Sequence, residues 1–186
     1  MHNVLLGVFR TILKHWLNSF AITCHLNGVV TGGRKKQICC DFERTPRPLT
    51  DLKWFKATEL RLMLLYFGPF IFVDMLDKRY YKHFIKLHSA IRILCHPTLH
   101  CTMNNIAKNI LEAFARDFMS LYGEQFFVYN FHLLTHLADD CMLHGKLDDF
   151  SAFPFENYLQ TMLHYIEKAP YPLQQFRNRF SEHISN

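Results

Sequence analysis

The sequence predicts a mainly α-helical protein. Apolar residues recur with helical period through several long stretches. Gly and Pro are sparse, seven of each in 186 residues, which disfavours a turn-rich β architecture. Hydrophobic residues make up 49% of the chain and 18 of them are Phe, so a packed core is within reach, and no stretch is low-complexity or repeated.

The first element is an amphipathic helix, with Val4, Leu5, Val8, Phe9, Ile12, Leu13, Trp16, Leu17 and Phe20 on one face. Residues 25–52 read as a connector, since LNGVVTGGRKK and RTPRPLTD supply Gly, Asn and Pro breakers. A second helix is expected from Ala57 to Gly68-Pro69, then a short helical piece over residues 70–77. A longer helix runs from Lys78 to Leu94 and stops ahead of His96-Pro97, because the residue before Pro is driven out of the α region. Asn104 or Asn105 is expected to cap the next helix, with Gly123 as its stop after Tyr122. GEQFFVYN reads as a brief extended segment and residues 127–143 as another helix, ended by His144-Gly145. Pro154 fits the first turn of a helix to Lys168, and a last helix covers residues 173–183. No stretch alternates convincingly as a strand. The expected organisation is a single partial domain over 1–186: helix 1–24, basic connector 25–52, helical block 53–122, and C-terminal helices 123–186.

The net charge is +5 and its excess lies entirely in the first 40 residues, which hold Arg10, Lys14, Arg34, Lys35 and Lys36 and no acid. Arg34, Lys35 and Lys36 are a candidate phosphate contact through sequence-independent electrostatics. The competing reading is a solvated loop. No apolar run approaches the ~18 residues of a membrane span. No secretory leader is visible, and the six cysteines lack a framework spacing, which reads as an intracellular chain with reduced thiols.

His132 and His136 in FHLLTHL are four residues apart, so a helix projects both from one face. That spacing suits one arm of a zinc site, but no Cys-x₂-Cys exists for the other. Chance pairing among 12 histidines is the alternative. CHPTLHC places Cys95, His96, His100 and Cys101 in seven residues, although Pro97 breaks any shared helical face. Glu156 stands at a helix start, where a carboxylate is favoured by the helix dipole alone. Asp139, Asp140, Asp148 and Asp149 read as a solvated face or turn residues. WFKATELR offers Trp54, Lys56, Glu59 and Arg61 either as an aromatic–basic phosphate contact or as a helix start with an anchored Trp. No Gly-rich phosphate loop, nucleophile elbow or His-Glu-x-x-His is present.

Taken in order, MHNVLLGVFRTILKHWL, LKWFKATELRLMLLYFGP, YNFHLLTHLADD and GKLDDFSAFPFENYLQTML resemble the C-terminal part of an animal CACTA (En/Spm-like) transposase. That group is distantly similar to the V(D)J recombinase core. The resemblance implies the helical insertion and C-terminal helices of an RNase H-like DDE core, with the core sheet largely missing. It implies that Met1-His2 matches a Met/Leu-His element, that His132 and His136 are half of a zinc site, and that Glu156 in PFEN is the third catalytic acid. Zn²⁺ and Mg²⁺ are the implied metals and DNA the implied substrate, with DNA cleavage and strand transfer as the ancestral activity and the nucleus as its place. The family's Cys-x₂-Cys and first two aspartates have no match here. The expectation is therefore a truncated, transposable-element-derived protein that is not an enzyme by itself and retains at most DNA or partner binding. The alternatives are a helical protein-interaction module, or part of an intact transposase whose N-terminal half is supplied separately. No membrane and no small-molecule substrate is expected.

Overall fold

The computed structural model describes residues 1–20, 29–31, 34–36, 47, 49–167 and 170–184. They are mainly helical and form two compact units, Met1–Phe150 and Ser151–Asn186.

The first unit opens with a π-helical stretch, Asn3–Phe9, that runs on as α1 (Arg10–Phe20). Val4, Leu5, Val8, Phe9, Ile12, Leu13 and Trp16 are buried, as the apolar period predicts. The predicted connector contains β1 (Val29–Thr31) and β2 (Arg34–Lys36), an antiparallel pair with Thr31 opposite Arg34 and Val29 opposite Lys36. The little sheet expected of this chain is, among the described residues, this one short hairpin. Three residues per strand are too few to leave a readable alternation.

A 3₁₀ segment, Leu49–Trp54, leads into α2 (Ala57–Leu62), whose first turn is tied by Glu59 Oε2 accepting from the Lys56 N–H at 2.8 Å. The helix does not end at Gly68-Pro69. It continues as a π-helical stretch, Met63–Phe67, then α3 (Gly68–Ile71) and a 3₁₀ turn, Phe72–Asp74. Proline lacks an N–H and crowds the carbonyl four residues back. The wider turn just ahead of Pro69, in which the Gly68 N–H reaches back to Met63 O, lets the helical path pass it. Gly68 is required there, since a Cβ would meet Met63 O at 2.6 Å and the Phe84 ring closer still.

α4 (Lys78–Cys95) begins at Asp77, whose carboxylate accepts from the Arg79 N–H at 2.9 Å, and stops before His96-Pro97 as predicted. After a single turn, α5 (Leu99–Thr102), comes α6 (Asn104–Tyr122). Neither asparagine caps it: Met103 holds the N-cap position. The buried Asn104 amide instead donates to His100 O at 3.0 Å and Ala138 O at 2.8 Å. Gly123, at φ +100°, ends α6 as expected. α4 and α6 pack antiparallel, pairing Tyr80 with Tyr122, His83 with Phe118 and Lys86 with Asp117.

GEQFFVYN forms a 3₁₀ turn, Glu124–Phe126, with extended backbone confined to Val128. The predicted 127–143 helix is one helical path in three pieces: α7 (Tyr129–His132), a tighter 3₁₀ turn Leu133–His136, and α8 (Leu137–His144). Gly145, at φ +91°, ends it. An aromatic core joins the elements. Trp16 meets Phe72 edge-on at 5.0 Å, Phe72 meets Phe84 edge-on at 5.0 Å, and Phe118 packs on Phe131 at 3.9 Å.

The second unit is a helix pair, α9 (Phe153–His164) and α10 (Pro172–Ile184). Pro154 lies in the first turn of α9 as predicted, and α9 ends at His164, short of Lys168, which lies outside the described residues. Tyr165 packs on Phe176 and His183, and Arg179 pairs with Glu167 at 2.8 Å.

Candidate functional site

His132 and His136 are presented by the other face of that same path. Phe131, Leu134, Ala138 and Cys141 are buried and fix its rotation, so both imidazoles face solvent. The two rings stand edge to face, 5.0 Å between centroids, with the Nε2 atoms 3.3 Å apart. At that distance either one Nε2–H donates to the other nitrogen, or both lone pairs meet one cation. A tetrahedral ion with Zn–N bonds of ~2.0–2.1 Å spreads its nitrogens about 3.3 Å apart, so the pair fits two corners of such a site. The other two corners have no counterpart: among the described residues no group of three His, Cys, Asp or Glu side chains is placed to hold a metal. Cys24, Cys39 and Cys40 lie outside the described residues.

Three of the four acids in the stretch between the histidines and Glu156 are engaged in structural pairs. Asp139 takes the Lys108 ammonium at 2.8 Å, Asp149 pairs with Lys146, and Asp148 receives a bidentate Arg61 at 2.6 and 2.8 Å. Donating to the Asp148 carboxylate raises the Arg61 pKa above its usual value. Arg61, in the WFKATELR stretch read either as a phosphate contact or as a helix start, is a clamp between α2 and the 148 turn.

CHPTLHC is not a ligand cluster. The His96 Nδ1 accepts from the N–H groups of Thr98 at 3.2 Å and Leu99 at 3.3 Å, capping the turn that Pro97 begins. The His100 Nδ1 donates to His96 O at 3.0 Å, and its Nε2 meets Cys101 Sγ at 3.1 Å. Burial pushes the Cys95 thiol up to about 11 and the Cys141 thiol up to about 12.

Glu156 lies exposed in the first turn of α9, in the second unit, with its N–H bonded to Ala152 O at 3.0 Å. The histidine pair belongs to the first unit. Arg34, Lys35 and Lys36 form β2, described through its backbone alone.

Two residues, Phe55 and His83, escaped the sequence reading. The anchor expected of Trp54, which is 62% exposed, is supplied by Phe55 beside it. His83 is buried at the α4–α6 contact, stacked on Phe114 with centroids 4.1 Å apart. Its place on the apolar face of α4, four residues before Leu87, was the legible signal. Among the described residues no helix is long and apolar enough to cross a membrane. Comparison of the chain with protein-family models finds no match, and neither do comparisons with curated proteins and with solved structures.

Proposed function

We propose that the chain is a DNA-directed, transposase-derived protein of the CACTA type. In this reading it carries the helical insertion and third-acid helix of an RNase H-like DDE enzyme, without the complete catalytic set. The observation that carries the reading is the convergence of the two Nε2 atoms of His132 and His136 to 3.3 Å, the separation that half of a tetrahedral zinc site demands. Glu156 takes the role of third acid, and Arg34, Lys35 and Lys36 that of phosphate contacts. One carboxylate does not satisfy two hard cations that each require several oxygen ligands, so no cleavage step is assigned to these residues alone. The nucleus is the compartment that a DNA-directed role requires.

Calorimetric titration with Zn²⁺ tests the metal half. Weak binding that disappears in both His132→Ala and His136→Ala is expected, and heat that persists in both variants removes the zinc reading. Incubation of supercoiled plasmid with the protein and Mg²⁺ or Mn²⁺ tests the rest. Uncut plasmid is expected, whereas nicking that is lost in Glu156→Gln would make the chain a complete enzyme. A second reading, a helical protein-interaction module, is favoured by the exposed Phe155, Leu159 and Leu163 along one face of α9.

A further inference from the structure

The 3₁₀ segment Leu49–Trp54 is held from both sides. Leu49, Leu52 and Phe55 are buried beneath it, and the Arg10 guanidinium donates to the carbonyls of Leu52, at 3.3 Å, and Lys53. The backbone around Trp54 is therefore fixed, while its indole is 62% exposed. The other tryptophan, Trp16, is 1% exposed. One cation lies over the exposed ring and a second is near in sequence. Lys53 Nζ lies 4.9 Å from the ring centroid, and Lys56 is exposed two residues further on. Of the two acids in the stretch, Glu59 is engaged by Arg47 at 3.3 Å and by the Lys56 N–H, which leaves Asp51, three residues before the ring, as the opposing charge.

We infer that Trp54, with Lys53 and Lys56, is a stacking site for single-stranded nucleic acid. A rigid aromatic face beside ammonium groups matches a nucleotide twice, the ring to a base and the lysines to its phosphates. A protein hot-spot tryptophan sits in an apolar setting sealed from water, whereas this ring is 62% exposed with the Lys53 ammonium over it. A duplex keeps its base faces stacked inside, so the ring selects unpaired bases. The site is separate from His132, His136 and Glu156 and goes beyond the role proposed for them.

The chain has two tryptophans, and Trp16 is enclosed with its Nε1–H bonded to Tyr122 at 2.8 Å, so a surface ligand changes the emission of Trp54 alone. A short oligo-dT is titrated into the full chain, with a hairpin duplex as comparison. Expected are quenching at saturation, weaker binding of the hairpin, and about tenfold weaker oligo-dT binding in Trp54→Ala, measured by anisotropy of labelled DNA. Lys53→Ala with Lys56→Ala should flatten the salt dependence. Because residue 54 is exposed, Trp54→Ala should keep the wild-type circular dichroism and Trp16 emission, which separates lost binding from lost fold. Unchanged oligo-dT affinity in Trp54→Ala, absent quenching, equal hairpin binding, or no nucleic-acid binding at all would each overturn the inference. Binding that survives Trp54→Ala but fails when Arg34, Lys35 and Lys36 are neutralised would overturn it while leaving the DNA-directed role standing.

Discussion

Acid should unfold this protein through His83. Its ring is 1% exposed, Nε2 is 3.0 Å from the Phe114 carbonyl, and Nδ1 is buried without a hydrogen-bond partner. The Nε2–H therefore donates to that carbonyl, and a second proton would have to enter at Nδ1, where no acceptor awaits it. Burial, the dominant cause, lowers the folded-state pKa from 6.5 to about 4, against the opposing effects of the Phe114 hydrogen bond and Asp117, while Lys86 adds to the lowering. The unfolded chain thus binds the proton first. The contribution of His83 is fully present above pH 6.5 and is lost as pH falls from 6.5 towards 4. Between pH 7 and pH 5 the loss amounts to about 2 kcal/mol.

Urea unfolding at both pH values measures that loss, and His83→Leu isolates it. Leucine removes the second hydrogen bond to the Phe114 carbonyl, which keeps its helical partner within α6, so the variant should be less stable at pH 7 by ~0.5–1.5 kcal/mol. Its stability should nevertheless fall about 2 kcal/mol less than wild type between pH 7 and pH 5. His15 and His88, also lowered by burial, titrate in both proteins and cancel in the comparison. An equal fall in the two proteins would refute the reasoning.

Gly68→Ala should cost ~1–3 kcal/mol in urea unfolding, because the new Cβ meets Met63 O at 2.6 Å inside a packed helix; an unchanged midpoint would mean that the Phe84 ring yields without strain. Trp16→Phe should cost ~1–3 kcal/mol, since it leaves the buried Tyr122 hydroxyl without its 2.8 Å donor and weakens the edge-on contact with Phe72; thermal unfolding no lower than wild type would remove that bond as a stabilising contact.

Helices were legible wherever one face had to be buried. The apolar positions of residues 4–16 reappear one by one as core, and the stops at His96-Pro97, Gly123 and Gly145 follow from local backbone restrictions. Misreadings fell where tertiary contact overrides a local preference. Pro69 breaks a regular α-helix, but a π turn ahead of it is equally local and carries no sequence mark. Asn104 is a good cap by type, yet a carbonyl 34 residues away claims its amide. Trp54 and Phe55 are adjacent aromatics, and only the direction of the turn decides which is buried. Within the candidate site, helical spacing already placed His132 and His136 on one face. Their solvent exposure and ring orientation depend on packing against α6, which no local pattern states.

The histidines show why spacing alone is a poor guide to a ligand. A metal needs an imidazole lone pair that is both unspent and within reach. His83 donates Nε2–H to Phe114 O and its remaining lone pair, on Nδ1, is buried; His88 donates Nδ1–H to Leu64 O, 2.8 Å away, and is half-buried. His96 spends its Nδ1 lone pair on backbone N–H groups, and His100 meets Cys101 with Nε2. The dense CHPTLHC run is thereby consumed by its own turn. His132 and His136 differ in kind, because their Nε2 atoms meet each other at the surface, where a shared proton competes with a cation. Metal affinity at this pair should therefore be set by that proton and by whatever completes the coordination shell, rather than by any cost of reorganising the helix.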